Sequence, residues 1–296
     1  MPLSFKTRFL DVIRKLYANP VGESFLLIFT KGKRSSDFAT KFIPMPHLFP
    51  KPSWRVVERH QVRMRLDISD LVDWYIYFDL RDDTLNLILS ILKPSSVVID
   101  VGTNIGYLAS RCARVANDGF VFGFEPSVHN FAKCLDNLSL NDFENCIVQN
   151  IGLDETERQI NLETVNPNNK GMNRVSTGPS SGTEKITVKT LDQVVRDNGL
   201  KSVDLIKLDV EGYELQVLKG AEITVNEFRP ILVIEVDDRL LINFGISSSE
   251  LFNWLVIHQF EVYGIDKQKI KAAKEMANRH LDILAVPIEK SKSIFG

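Results

Sequence analysis

The segment "VDLIKLDVEGYELQVLKGAE" places three ionisable side chains, Lys207, Asp209 and Glu211, at and just past the end of an apolar run. Alternate residues of a strand share a face, so Lys207 and Asp209 point the same way and Glu211 lies beyond the strand end. Charges at the carboxyl end of a central strand are costly to bury without a partner or a purpose. One purpose is proton abstraction from an attacking hydroxyl. Glu211 is then the first candidate for base, Asp209 shares that role or holds a cofactor, and Lys207 tunes both. The structural alternative is a Lys207–Asp209 pair that stabilises the strand end, with Glu211 as a helix N-terminal charge.

A second segment, "VVIDVGTNIGYLA", runs β-branched residues into Asp100 and then two glycines, Gly102 and Gly106, before a helical pattern. Glycines there let a ligand approach the backbone and let the helix pack closely. A dinucleotide fingerprint needs G-x-G-x-x-G, which is absent. The D-x-G-x-x-x-G spacing, with Thr103 and Asn104 inside the turn, suits S-adenosylmethionine, which has no pyrophosphate. Asp100 can meet its ammonium and backbone N–H groups its carboxylate. Glu125, about twenty residues on in "GFEPS", stands where an acid takes the two ribose hydroxyls of a nucleoside cofactor, a feature shared with NAD sites. Asn150, at the end of the next strand-like run, completes the cofactor candidates.

Several elements must position these groups. Runs suited to buried parallel strands lie at 97–101, 120–124, 146–151, 203–209 and 231–236, mostly separated by helical patterns such as "GYLASRCARVA". That alternation predicts a doubly wound α/β sheet. "FEVYGI" and "LDILAVP" read as an antiparallel edge pair. Between 154 and 202 the strand-like "RQINLETV" and "EKITVKTLD" flank a long polar loop. A loop of that length in a compact domain is usually functional or disordered. It is expected to cover the acceptor, with Met172, Asn173 and Arg174 as contacts.

The 296 residues are 44% hydrophobic and 25% charged, an ordinary globular composition. Cys112, Cys134 and Cys146 lack metal-ligand spacing and fit a reduced cytoplasmic protein. The five histidines are scattered without metal-like pairing, so no metal is expected, and each reads as a surface or core residue. Of 36 basic and 38 acidic residues, 13 and 4 fall within residues 1–65, a local charge of +9 that leaves −11 for the rest. Residues 3–17 form an amphipathic helical pattern with Lys6, Arg8, Arg14 and Lys15 around an apolar face. A Pro-punctuated stretch follows, then "RHQVRMRLDIS" and "DWYIYFDL", which read as a small strand pair. The expected organisation is a basic appendage over 1–82, a cofactor-binding domain over 83–288 and a tail over 289–296.

"VVIDVGTNIGYLA", "GFVFGFEPS", "TLDQVV", "VDLIKLDVEGYELQVLKGA" and "LDILAV" resemble the FkbM-type S-adenosylmethionine-dependent methyltransferases over roughly residues 70–288. K-x-D-x-E-G-x-E is the most specific part. Thr103 stands where the family more often has Ala, and Leu108 where an aromatic is frequent. The resemblance implies a Rossmann-like class I methyltransferase fold and O-methylation of a hydroxyl on a sugar, glycan or natural product. Two other classes fit parts of the sequence: a nicotinamide oxidoreductase on the same fold, disfavoured by the missing glycine, and a non-catalytic scaffold binding through the basic segment. That segment is expected to meet something anionic: a membrane surface, a lipid-linked or nucleotide-linked acceptor, or an acidic subunit. Nucleic acid is not expected, because the acidic body repels a long polyanion and no aromatic-basic platform is evident.

Overall fold

The computed structural model describes residues 5–164, 173–176 and 183–295. These fall into two compact units, one running to Asp83 and the other from Thr84.

The first unit holds helices α1 (Phe5–Lys15) and α2 (Pro20–Thr30), a hairpin of β1 (Trp54–Arg59) and β2 (Val62–Asp67), and helix α3 (Leu71–Tyr77). Two of its elements correct the sequence reading. The partner of β2 is β1, joined through His60 and Gln61, both at positive φ. Such a turn normally announces itself with Asn or Gly, and neither is present. "DWYIYFDL" is mostly α3, not a strand. Asp70 caps the helix by accepting from the Val72 N–H, and the Asp73 carboxylate accepts from the Asp67 N–H at 2.5 Å. Trp74 and Phe78, four residues apart, pack at 5.5 Å between ring centres. Aromatic enrichment suggests a strand, but capping and packing at helical spacing override that preference.

The second unit contains α4 (Asp83–Ile91), β3 (Val97–Val101), α5 (Tyr107–Val115), β4 (Phe120–Phe124), α6 (Val128–Ser139) and β5 (Cys146–Gln149). It continues through β6 (Gly152–Leu153), β7 (Arg158–Thr164), β8 (Asn173–Val175), β9 (Thr183–Lys189), α7 (Leu191–Asp197), β10 (Leu205–Leu208), α8 (Glu214–Lys219) and α9 (Glu222–Phe228). Last come β11 (Ile231–Asp237), α10 (Asp238–Leu241), α11 (Ser248–Ile257), β12 (Phe260–Gly264), β13 (Lys269–Ile270), β14 (His280–Pro287) and α12 (Ile288–Phe295). The expected tail is thus helical, tied back by an Arg229–Glu289 ion pair at 2.9 Å and by the Lys290 ammonium donating to the Arg229 carbonyl at 2.6 Å.

Eight strands form the main sheet in the order β13-β12-β14-β11-β10-β3-β4-β5. β5, β4, β3, β10 and β11 are parallel, and β14 and β12 add an antiparallel flank. Apolar side chains cover both faces, one lined by Ile99, Phe122, Ile206 and Ile234, the other by Val98, Val121, Leu205 and Val233. This is the doubly wound arrangement that alternating strand and helix patterns imply. The two strands expected around the polar loop, β7 and β9, join β6 and β8 in a separate four-stranded sheet, β6-β9-β7-β8.

The α3 cap yields a direct test. Asp70→Ala should lower the stability of the first unit by about 1 kcal/mol, measured as a lower urea midpoint. An unchanged midpoint would show that the cap does not fix the helix.

Candidate active site

Strand order reverses at the junction of β3 and β10, because β4 and β5 extend the sheet one way and β10 and β11 the other. The carboxyl ends of β3 and β10 therefore open where α/β sheets bind ligands. The two ends lie very close. A Cβ on Gly102, at φ +86°, would sit 2.0 Å from the Asp209 carbonyl oxygen. Asn104 (φ +52°) and Gly106 (φ +84°) complete one left-handed turn, and Glu211 (φ +54°) and Gly212 (φ +97°) make another beyond β10.

Buried carboxylates hold both turns through backbone N–H donors. Glu125 accepts from the Asn104 N–H at 2.8 Å and the Ser127 N–H at 3.0 Å. Glu214 accepts from the Gly212 N–H at 3.0 Å. Burial pushes each of these two acids up to about 7. Asn150 donates to the carbonyls of Glu125 and Pro126, both at 2.9 Å, and so fixes the loop that carries Glu125.

Thr103 departs from the cofactor-contact role expected of it. Its hydroxyl donates to the Asp100 carbonyl and accepts from the Phe124 N–H, both at 2.9 Å, while its own N–H donates to the Phe124 carbonyl. Its polar groups are committed to bridging β3 and β4, so Thr103 supports the turn from within.

One sheet face carries the charges. Asp100, Lys207 and Val233 lie in register on β3, β10 and β11, and the next residue on that face of β11, Glu235, lies opposite Asp282 of β14. The Lys207 ammonium meets the Asp209 carboxylate at 2.6 Å. Burial alone would depress this ammonium, but Asp209 and Asp100 raise it above its ordinary value. For Asp209 burial works upward, and Lys207 more than offsets it, holding the carboxyl low. Glu235 goes the other way: burial and the Asp209 charge push it far up, so it keeps its proton and donates to Asp209. Glu211 is raised to about 7 by burial and then by Asp209.

His280 belongs to this site, contrary to its reading as an incidental residue. Its Nδ1 lies 3.1 Å from Asp237 and its Nε2 3.4 Å from Glu235. Glu235, Asp237 and Asp282 are likewise absent from the sequence candidates, and Glu214 enters there only as the last residue of K-x-D-x-E-G-x-E. The visible signal was an acid alternating with apolar residues at each strand end, as in "VIEVD" and "HLDIL".

The acceptor candidates are split. Met172 lies outside the described residues. Asn173 and Arg174 belong to β8, a strand and not a loop. Arg174 pairs with Glu163 at 2.7 Å, and its charge reaches Glu211 and favours the ionised carboxylate. The Asn173 Oδ1 is buried without a partner among the described residues.

The Methyltransferase FkbM domain model matches residues 100–284, more than half of the chain. The chain belongs to this family. It is 35% identical over 160 residues to the hexuronic acid methyltransferase AglP of Haloferax volcanii, covering 53% of this chain and 63% of AglP. It therefore spans less than two thirds of that relative. The 2-O-methyltransferase NoeI of Sinorhizobium fredii is 29% identical over 168 residues, 52% of this chain and 69% of NoeI. The solved methyltransferase FkbM from Methylobacillus flagellatus is a looser likeness: 15% identity, a TM-score of 0.45, and coverage of 95% of this chain and 59% of that one.

Membership of the FkbM family implies S-adenosylmethionine as cofactor, and the site's residues fit it. Both carboxylate oxygens of Asp100 are buried without a hydrogen-bond partner among the described residues, and burial raises this acid to about 6. A cationic donor would satisfy them. At Gly102 the Asp209 carbonyl already stands where a Cβ would sit, so this glycine serves the close approach of β3 and β10. Glu125 has lone pairs beyond the two bonds it already accepts, enough for ribose hydroxyls.

A buried carboxyl without a hydrogen-bond partner is a liability to the folded state. A carboxyl raised by burial destabilises the folded state once pH exceeds its unfolded value, with the full effect above about 6. Asp100→Asn should therefore melt at the same or higher temperature than the parent at pH 8, yet bind S-adenosylmethionine at least about tenfold more weakly. Calorimetric titration at pH 8 measures the affinity, and unchanged affinity would remove Asp100 from the cofactor site.

Proposed function

We propose that this FkbM family member is an S-adenosylmethionine-dependent methyltransferase that methylates a hydroxyl of a sugar or glycan. The observation that carries the reading is Glu211, an acid raised to about 7 on a left-handed turn beside the switch-point glycines. When bound, S-adenosylmethionine supplies a methyl group already activated for attack by oxygen. What remains for the protein is alignment, exclusion of water and removal of one proton.

Asp100, Gly102, Asn104, Gly106 and Glu125 are the cofactor-holding set in this reading, with Asn150 and Thr103 keeping that set in place. Glu211 takes the acceptor proton, since a base works best when its pKa lies near the working pH. Asp209 is less suited to that step, because the Lys207 ion pair holds it ionised and weakly basic. Its part is to raise Glu211 by charge repulsion, and Lys207 keeps that repulsion in place. Asn173 and Arg174 stand on the acceptor side of Glu211. Good alignment alone is worth on the order of 7–11 kcal/mol, and a base adds about 10²–10⁴-fold.

A sugar acceptor is supported by AglP and NoeI, whose names record a hexuronic acid and a 2-O position. A base tuned near neutrality favours a hydroxyl over a carboxylate acceptor, because a carboxylate has no proton to lose. The nicotinamide alternative loses ground to family membership and to the missing middle glycine.

Ionised Glu211 is the active form, so kcat/KM for methyl transfer should rise with pH through about 7 and level off above it. Radiolabelled methyl incorporation into a panel of neutral and uronic-acid glycosides provides the assay. Glu211→Gln should remove the limb and lower kcat by about 10²–10⁴-fold. A limb that survives this substitution assigns the proton to another group. A pH-independent parent enzyme would instead point to a carboxylate acceptor.

A further inference from the structure

Helices packed on a core normally turn their apolar stripe inward. In the first unit α1 and α2 leave much of theirs outside. Asp11 and Arg14 are buried and joined at 2.9 Å on the inner side of α1, while Phe9, Val12 and Leu16, just past its end, face outward. On α2 the inner side holds Leu26 and the fully buried Glu23, which binds the Arg55 guanidinium through two hydrogen bonds and the Tyr77 hydroxyl at 2.8 Å. Val21, Phe25, Ile28 and Phe29 face outward, each between 49% and 80% exposed. The outward rings cluster: Tyr17 stacks on Phe25 at 6.3 Å, and Phe25 meets Phe29 at 5.1 Å.

Charge is sorted with equal consistency. Among the described residues from 9 to 42, the exposed charged side chains are Lys15, Lys31, Lys33, Arg34 and Lys41, of which Lys31 lies 3.8 Å from Asp79 and Arg34 pairs with Asp83 at 3.1 Å. The acids of that stretch are withdrawn: Asp11 and Glu23 into ion pairs, and Asp37 half-buried, accepting from the Arg34 N–H. The exposed surface of this segment is thus apolar and aromatic, rimmed by cations.

We propose that the outer face of α1 and α2 docks on an anionic phospholipid bilayer. Aromatic and aliphatic side chains enter the interfacial layer while the lysines and Arg34 meet headgroup phosphates, as in interfacial basic helices. A second copy of the chain fits this face less well, because a two-fold contact would bring like charges together. Among the described residues no single helix is long and apolar enough to cross a membrane. The proposal does not depend on the methyltransferase reading and is tested without turnover.

The full chain is sedimented with vesicles of phosphatidylcholine alone or mixed with phosphatidylglycerol, in low salt and in about 0.5 M salt. The proposal expects binding to the anionic vesicles in low salt, weakened at least about tenfold by salt or by omitting the anionic lipid. Phe25→Ser with Ile28→Ser should abolish it while leaving circular dichroism and melting unchanged. Should that variant unfold, Val12→Ser alone serves and should weaken binding measurably. Absence of binding to anionic vesicles in low salt overturns the proposal, as does undiminished binding by folded variants. A dimer in solution that the same substitutions convert to monomer also overturns it, and assigns the face to a second copy.

Discussion

Lys207 carries its ammonium along a central strand whose register neighbour is Asp100 on β3, with Glu235 on β11 and Asp209 only 2.6 Å away. One cation among three carboxyl groups cannot keep all of them ionised in a partly dehydrated site. The balance falls out unevenly, as like charges in close quarters require. Asp209, paired directly, stays charged. Glu235, raised by burial and by the Asp209 charge, keeps a proton and donates it to Asp209 in a hydrogen bond. Asp100 sits between these states, raised to about 6 and without a partner among the described residues. Loss of Lys207 would leave that face with carboxyls and no compensating charge, the costliest change a buried pair can suffer.

The backbone around this row follows from the closeness it demands. β3 and β10 approach until only glycine fits at position 102, and the chain leaves each strand through a left-handed turn. Non-glycine residues at positive φ, here Asn104 and Glu211, are sparsely populated conformations that persist only where the surroundings over-determine them. For the first turn those surroundings include Glu125, with Asn150 behind it. For the second they include Glu214, the first residue of α8. The acids that a sequence reader would assign to ligands thus also hold the frame, and the ligand groups are placed by backbone bonds as much as by side-chain packing.

What the sequence made legible was local. The glycine turn, Glu125 at a strand end and the shared face of Lys207 and Asp209 all follow from spacing within one segment. Glu235, Asp237 and His280 carry the same alternation, but their relevance depends on β11 and β14 lying beside β10, which no spacing within a segment reveals. Thr103 shows the opposite: a polar residue inside the glycine turn whose hydroxyl and N–H tie β3 to β4. In the first unit the amphipathic stripe of α1 was plain, yet which side faced the core was not. The core there is apolar, with Ile43, Met64, Leu66 and Phe78 fully buried, but α1 and α2 turn the Asp11–Arg14 and Glu23–Arg55 pairs toward it and leave much of their own apolar surface outside.

The central claim is that one buried ammonium divides its neighbouring carboxyls into unequal protonation states and leaves Glu211 near neutrality. Carbon-13 NMR titration of labelled glutamate side chains in the full chain, with Glu211→Gln and Glu235→Gln used for assignment, reads this most directly. The account predicts that Glu211 titrates near 7 and that Glu235 remains protonated well beyond neutrality. Both titrating in the ordinary carboxylate range of about 4 to 5 would contradict it.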